Sequence, residues 1–201
     1  MKQIKKERPV RSYSGEKWKT NKTNKEYLAK DFNHRCAYCD DFDLFNGEFR
    51  AYHVEHFAPK EKFPSLKYEY SNLLYACPYC NGAKSDKWPS SDPKINVVEN
   101  KGFLDPCKDE YYENLHRNDD GSIGYDTPLG EYIFKELNLG LKRHKYIYIQ
   151  TELDDYLHLL EDRIECIKMN GGDTDELQKI RDHAAYLFWR VSSVDRSQES
   201  R

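Results

Sequence analysis

Two Cys-x-x-Cys pairs, Cys36-Ala-Tyr-Cys39 and Cys77-Pro-Tyr-Cys80, are the residues whose type and spacing specify chemistry most directly. Each pair forms a tight knuckle that aims two thiolates at one point. Four thiolates fit a tetrahedral zinc ion at Zn–S distances of about 2.3 Å. Four soft ligands leave no position open for substrate, so the spacing predicts structural zinc that clamps segment 40–76 shut at its base. A thioredoxin-like redox role needs a βαβ pattern that the sequence lacks. Cys107 and Cys166 stand alone and read as ordinary reduced thiols.

The residues between and just after the pairs carry a second pattern. His53-Val54-Glu55-His56 leads to Pro59-Lys60, Asn72-Leu73-Leu74 follows, and Asn81-Gly82-Ala83-Lys84 begins directly after Cys80. Taken singly, His53 is a satisfied structural histidine, Asn72 a turn residue and Lys84 part of a solvated helix face. In this order around two knuckles they read together as a site. Side chains alternate along a strand, so Glu55 and His56 can share a site only if the strand ends or bends there. His53 has the parity of Glu55 and stands as either an accessory ligand or its partner.

This arrangement resembles the HNH endonuclease superfamily, with its ββα-metal fold. The family pattern is a Cys pair, an Asp/Glu-His dipeptide shortly before Pro, an Asn-Leu, and then Cys-x-x-Cys-His/Asn-x-x-Lys. It is met in order by Cys36/Cys39, Glu55-His56 with Pro59, Asn72-Leu73, and Cys77/Cys80-Asn81 with Lys84. Asn81 stands where many members have His. The resemblance implies His56 as general base, a task suited to an imidazole of ordinary pKa about 6.5. It implies Glu55 and Asn81 as ligands of one Mg²⁺ or Mn²⁺, for which a carboxylate and an amide oxygen are suitably hard. It further implies that Asn72 orients His56 or supports the loop, and that Lys84 contacts the substrate phosphate.

The wider context, with the FLDPC and DGSIGY segments, is similar to HNH nucleases of antiphage defence systems such as Septu and of some retron-linked systems. Those act beside an ATPase subunit. The expected function is therefore metal-dependent hydrolysis of DNA phosphodiester bonds within a defence complex. The alternatives are a non-catalytic zinc-finger module binding nucleic acid or protein, and a toxin-like nuclease acting on RNA.

The elements that must position these residues follow from periodicity and breakers. The expected fold class is α+β: a small zinc-stapled ββα-metal core with a C-terminal helical hairpin. Residues 1–30 hold ten Lys/Arg against Glu7, Glu16 and Glu26, a net +7, leaving −10 for the rest of a chain of formal charge −3. They read as a basic arm, extended or mobile to about residue 20, with a helix over 23–31, and as a local contact for a polyanion. Residues 31–90 form the nuclease core, with a strand over 49–57 and a helix over 81–87 stopped by Trp88-Pro89. Residues 91–127 are irregular, with a hairpin turning at Asp120-Gly121. Residues 128–201 are helical: 129–139 closed by Gly140, 141–169, and a third helix capped by Asp173 or Thr174. The last two pair antiparallel, and their apolar stripes serve as core or as a partner surface. Tyr38, Tyr68, Tyr70, Tyr75 and Tyr79 cluster around the site; Tyr75 is read as core, and the others either stack on bases or pack around zinc. No apolar run approaches a membrane span and no apolar leader is visible, so the expected location is cytoplasmic.

Overall fold

The structure, a computed structural model, describes residues 2–13 and 20–194. The expectations for residues 1, 14–19 and 195–201 lie outside the described residues. The chain runs from β1 (Lys2–Gln3) through α1 (Asn21–Asp31) and the short α2 (Glu48–Ala51) into β2 (His53–His56). A looped segment returns as β3 (Leu73–Ala76) and continues into α3 (Pro78–Lys84). Next come β4 (Val97–Val98), β5 (Lys101–Gly102), α4 (Asp109–Asn114), β6 (Leu115–Arg117) and β7 (Ile123–Tyr125). Three helices end the chain: α5 (Pro128–Glu136), α6 (Lys142–Met169) and α7 (Asp175–Ser192). The α+β class is as the sequence indicates.

The centre is the antiparallel β2–β3 pair with α3 packed against β2. Every residue of β3 is fully buried, which is why its sequence, LLYA, is a continuous apolar run rather than an alternating one. Around it lie Leu28 of α1, Phe32 just after that helix, Tyr38, Tyr52, Phe103, Tyr111 and Leu115. Aromatic rings supply much of the volume in a chain poor in aliphatics: Tyr52 stacks on Tyr75 at 4.8 Å between centroids.

Residues 2–13, expected to be extended or mobile, are held against the rest of the chain. β1 pairs with β6, Ile4 is buried in the core, and the buried Lys5 ammonium donates to the Cys36 carbonyl at 2.8 Å. Arg11 donates to both oxygens of Asp105 and to the Leu73 carbonyl, Arg8 pairs with Asp109, and Lys6 with Glu152 and Asp155. The reason is electrostatic: a net-positive segment attached to an acidic body finds its counter-charges within the chain.

Local differences are equally physical. Residues 49–51 belong to α2, which follows Gly47 at φ 83°, so the strand is shorter than its aromatic content suggested. α3 begins at Pro78, because Cys77 caps it: its sulfur accepts from the Cys80 amide. α5 stops at Glu136, and the left-handed residue is Asn138 at φ 53°, with the Leu139 amide donating to the Phe134 carbonyl at 2.9 Å. Gly140 serves close approach instead, since a Cβ there would sit 2.8 Å from the Phe134 ring. The β6–β7 hairpin forms as expected, with Gly121 at φ 86°.

The α6–α7 hairpin is amphipathic over unequal halves. The first half of α6 buries Arg143, His144, Ile147, Gln150 and Thr151, with His144 against Asp41 and Gln150 donating to Ser192 of α7. Its second half buries only Leu160 and Ile164, and α7, which packs along α6, buries only Ala184. No helix among the described residues is long and apolar enough to cross a membrane.

Candidate active site

The four paired cysteines converge. Their sulfurs all lie within 4.8 Å of one another and all four residues are fully buried. The Cys39 and Cys77 sulfurs are 3.8 Å apart, which is about the edge of a tetrahedron with 2.3 Å arms. The first knuckle is turned by Asp40 at φ 65°, and the Ala37 amide donates to the Tyr75 carbonyl, fixing the knuckle to β3. The second is the N-terminus of α3. The Cys77 amide donates to the Cys36 sulfur at 3.3 Å, tying one knuckle to the other. This donor set fits zinc: soft, four-membered and closed.

Cations surround that centre. Arg117, only 1% exposed, donates to the carbonyls of Cys39, Ile4 and Gly121. The Arg143 guanidinium lies over the Tyr79 ring at 3.5 Å. His144 Nδ1 is 2.8 Å from Asp41, and the ligand atoms of Cys39, Asp41 and His144 fall within 4.8 Å of one another. Burial alone would lower the His144 pKa, but Asp41 and Cys39 outweigh it and raise it to about 10. Four thiolates on one divalent ion carry a net double negative charge, which these groups offset. Sequence reading missed Arg117, Asp41 and His144.

One side of the β2–α3 contact opens as a cleft of about 410 Å³, lined by His53, Glu55, His56, Asn81, Ser85 and Asp86 among others. Parity and helix spacing explain the convergence. His53 and Glu55 share a face of β2, and His56 is its last residue, where the strand ends. On α3, Cys80 and Lys84 face inward one turn apart, while Asn81 reaches the cleft with Ser85, which follows the helix. Ser85 and Asp86 had escaped notice; their signal was their place one turn beyond Asn81.

His56 is 6% exposed, with Nε2 3.0 Å from the Lys67 carbonyl. A carbonyl only accepts, so Nε2 carries the proton and Nδ1 keeps its lone pair. Burial holds the imidazole below its ordinary pKa, so it is neutral at neutral pH. Glu55, also 6% exposed, is pushed up to about 7 by burial, against which Lys84 pulls it down. Asn72 clamps the loop rather than His56. Its Oδ1 accepts from the Ala58 amide at 2.8 Å and its Nδ2 donates to the Ala58 carbonyl at 2.9 Å. Trp88 pins the same loop with edge-on contacts to Phe57 and Phe63.

Lys84 departs from the expected phosphate contact. It is fully buried, its ammonium 3.0 Å from Glu55 Oε1, and it donates to the His56 carbonyl at 3.1 Å. The pairing is ionic rather than a well-angled hydrogen bond, since Oε1 has no partner with hydrogen-bond geometry. Of the tyrosines, Tyr38, Tyr70 and Tyr75 are buried and Tyr75 donates to Asp43; Tyr79 is exposed beneath Arg143.

Residues 36–87 match the family model described as HNH endonuclease. This segment is an HNH endonuclease domain. Beyond it, the chain is similar to three curated proteins. It is 38% identical over 69 residues to the Septu protein PtuB of Bacillus thuringiensis, covering 34% of this chain and 26% of that protein. It is 26% identical over 133 residues to the Septu protein PtuA of Bacillus mycoides, covering 57% and 18%. It is 28% identical over 123 residues to the Septu protein PtuB of the same organism, covering 50% and 40%. The matches thus span well under half the length of each relative. No solved structure matches the chain.

Proposed function

We propose that the HNH domain hydrolyses phosphodiester bonds in DNA, with Mg²⁺ or Mn²⁺ at Glu55 and Asn81 and a structural zinc at the four cysteines. We place this activity in the cytoplasm, in an antiphage defence complex beside an ATPase subunit, on the similarity to Septu proteins. The observation that carries the reading is the cleft: it gathers a neutral imidazole and a carboxylate from β2 and a side-chain amide from α3, whose N-terminal turn carries two of the four clustered thiols. Lone knuckles of a binding module have no use for those three groups at one opening.

The divalent ion, when bound, supplies Lewis-acid stabilisation of the scissile phosphate and of the leaving oxygen. His56 takes a proton from the attacking water at Nδ1, because the Lys67 carbonyl holds the other nitrogen protonated. Asn72 and Trp88 hold the loop that carries this carbonyl, so the imidazole keeps one orientation. Glu55 and Asn81 would offer hard oxygens at the cleft while the soft thiolates are fully buried and do not line it, which would keep the two metals apart by ligand chemistry.

The test is cleavage of plasmid DNA, and of matched single-stranded RNA, by purified wild type and His56→Ala with Mg²⁺, Mn²⁺ or EDTA. A loss of about 10²–10⁴-fold in the variant at unchanged zinc content supports the reading. Retained cleavage removes His56 as base. Zinc without cleavage, in the presence of co-purified partner, returns the chain to a binding module. RNA cut in place of DNA reassigns the substrate.

A further inference from the structure

The Glu55–Lys84 pair raises a question that the proposed mechanism leaves open. A carboxylate meant for a divalent ion already has a buried cation on one of its oxygens. Lys84 has no exposed surface, its ammonium lies within 5.3 Å of the Phe103 ring centroid and 6.0 Å of that of Trp88, and it also holds the His56 carbonyl. Glu55 Oε1 faces it at 3.0 Å and is sealed from solvent. Yet Glu55 lines the cleft, so Oε2 is the oxygen left to it.

We infer that Lys84 is a positioning residue that sets the ion preference of the site, by occupying Glu55 Oε1 so that the carboxylate ligates through one oxygen only. The inference rests on the reading of Glu55 as an ion ligand. Mg²⁺ demands near-octahedral angles at about 2.0–2.1 Å, which the narrow bite of a two-oxygen carboxylate violates. Ca²⁺ takes six to eight oxygens at about 2.3–2.6 Å and accepts a two-oxygen carboxylate readily. A carboxylate with one oxygen blocked therefore favours the smaller ion. The same ammonium fixes the end of β2 through the His56 carbonyl, so ligand and base stay in register. The blocking group sits in a dry pocket of rings, where it cannot drift away when an ion arrives. The other carboxylates at the cleft, Glu61 and Asp86, are exposed, and the cation 3.7 Å from Glu61 Oε1 is that of Lys60, itself partly exposed to solvent.

The experiment measures equilibrium binding of Mn²⁺ by electron paramagnetic resonance, with Mg²⁺ and Ca²⁺ as competitors and no nucleic acid present. The proteins are wild type, Lys84→Met and Glu55→Gln, each with zinc loaded. The expected result is a shift in the Ca²⁺/Mg²⁺ preference of Lys84→Met toward Ca²⁺ by about tenfold. An unchanged ratio in a folded Lys84→Met overturns the inference. If that variant does not fold, the carboxylate infrared bands of wild type, differenced against Glu55→Gln, decide: a one-oxygen splitting with Mg²⁺ supports it and a two-oxygen splitting overturns it. Glu55→Gln that binds ions as well as wild type also overturns it, and does so by removing Glu55 as a ligand, which the other outcomes leave standing.

Discussion

The HNH core and the α6–α7 hairpin hold themselves together by opposite means. The core has four-residue strands and a seven-residue helix, too short to bury much surface. It compensates with a four-thiolate centre and buried polar ties such as Lys84–Glu55, Arg117–Cys39 and His144–Asp41. The hairpin has helices of 28 and 18 residues and relies mainly on side-chain stripes, with Gln150 of α6 donating to Ser192 of α7 at 3.0 Å. It leaves Leu159, Met169 and Trp189 more than 60% exposed, whereas β3 exposes nothing. Specific residues at specific places therefore dominate the first region, and tolerance the second. His144 is where they meet, a helix residue in the core's charge network.

Metal removal tests this contrast most severely. Zinc–thiolate binding supplies on the order of 10 kcal/mol of folding free energy in small domains. Cys77→Ser, or chelation, is expected to abolish the near-ultraviolet circular dichroism of the buried tyrosines while most of the far-ultraviolet helical signal survives. If the two signals are lost together, the regions are one cooperative unit and the contrast fails.

His144→Leu comes next. Removing one partner of a buried ion pair costs about 3 kcal/mol, read by urea unfolding. Its pKa is raised above the ordinary value of 6.5 to about 10, so the imidazolium's contribution is complete below 6.5 and is lost as pH rises through about 10. The stability gap between wild type and variant is thus expected to narrow across that upper window, and a gap that stays constant breaks the charge assignment.

Cleavage should depend on pH in the other direction. The proposed mechanism needs Glu55 ionised, from about 7, and His56 neutral, from below its ordinary value, so on that mechanism both groups favour activity as pH rises. At low ion concentration the rate is expected to fall about tenfold per unit below about pH 7, and saturating ion should move that limb downward, because a bound cation favours the carboxylate. A rate flat from pH 5 to 8 would exclude these groups. The smallest effect is reserved for the hairpin surface: Leu159→Ser should change unfolding free energy by no more than about 0.5 kcal/mol. A larger loss means that this face is covered in the protein as it exists in solution.

Much of the site was legible before any fold was known. The Cys-x-x-Cys spacings, Glu55-His56 ahead of Pro59 and Asn81 directly after Cys80 are short-range patterns, and the cleft and thiolate centre assemble from them. The long helices were legible through their periodicity and the Asn170-Gly171-Gly172 stop. What misled was chemistry without location. Lys84 looked like a surface cation, and burial turned it into a partner for Glu55. Residues 2–13 read as extended or mobile, and pairing of Lys5, Arg8 and Arg11 with Asp40, Asp109 and Asp105 holds them to the rest of the chain.

The sequence by itself therefore determined the candidate ligand residues, the order of the motifs and the extents of the two long C-terminal helices. Thiolate geometry and helical period act over a few residues and leave a local trace. Only the tertiary structure decided which charges are neutralised: Asp41 and His144 lie 103 positions apart, and Arg117 reaches Cys39 across 78. Such pairs have no period to read. Their partners are selected by the cost of burying a charge alone, a cost that exists only once the chain has closed around it.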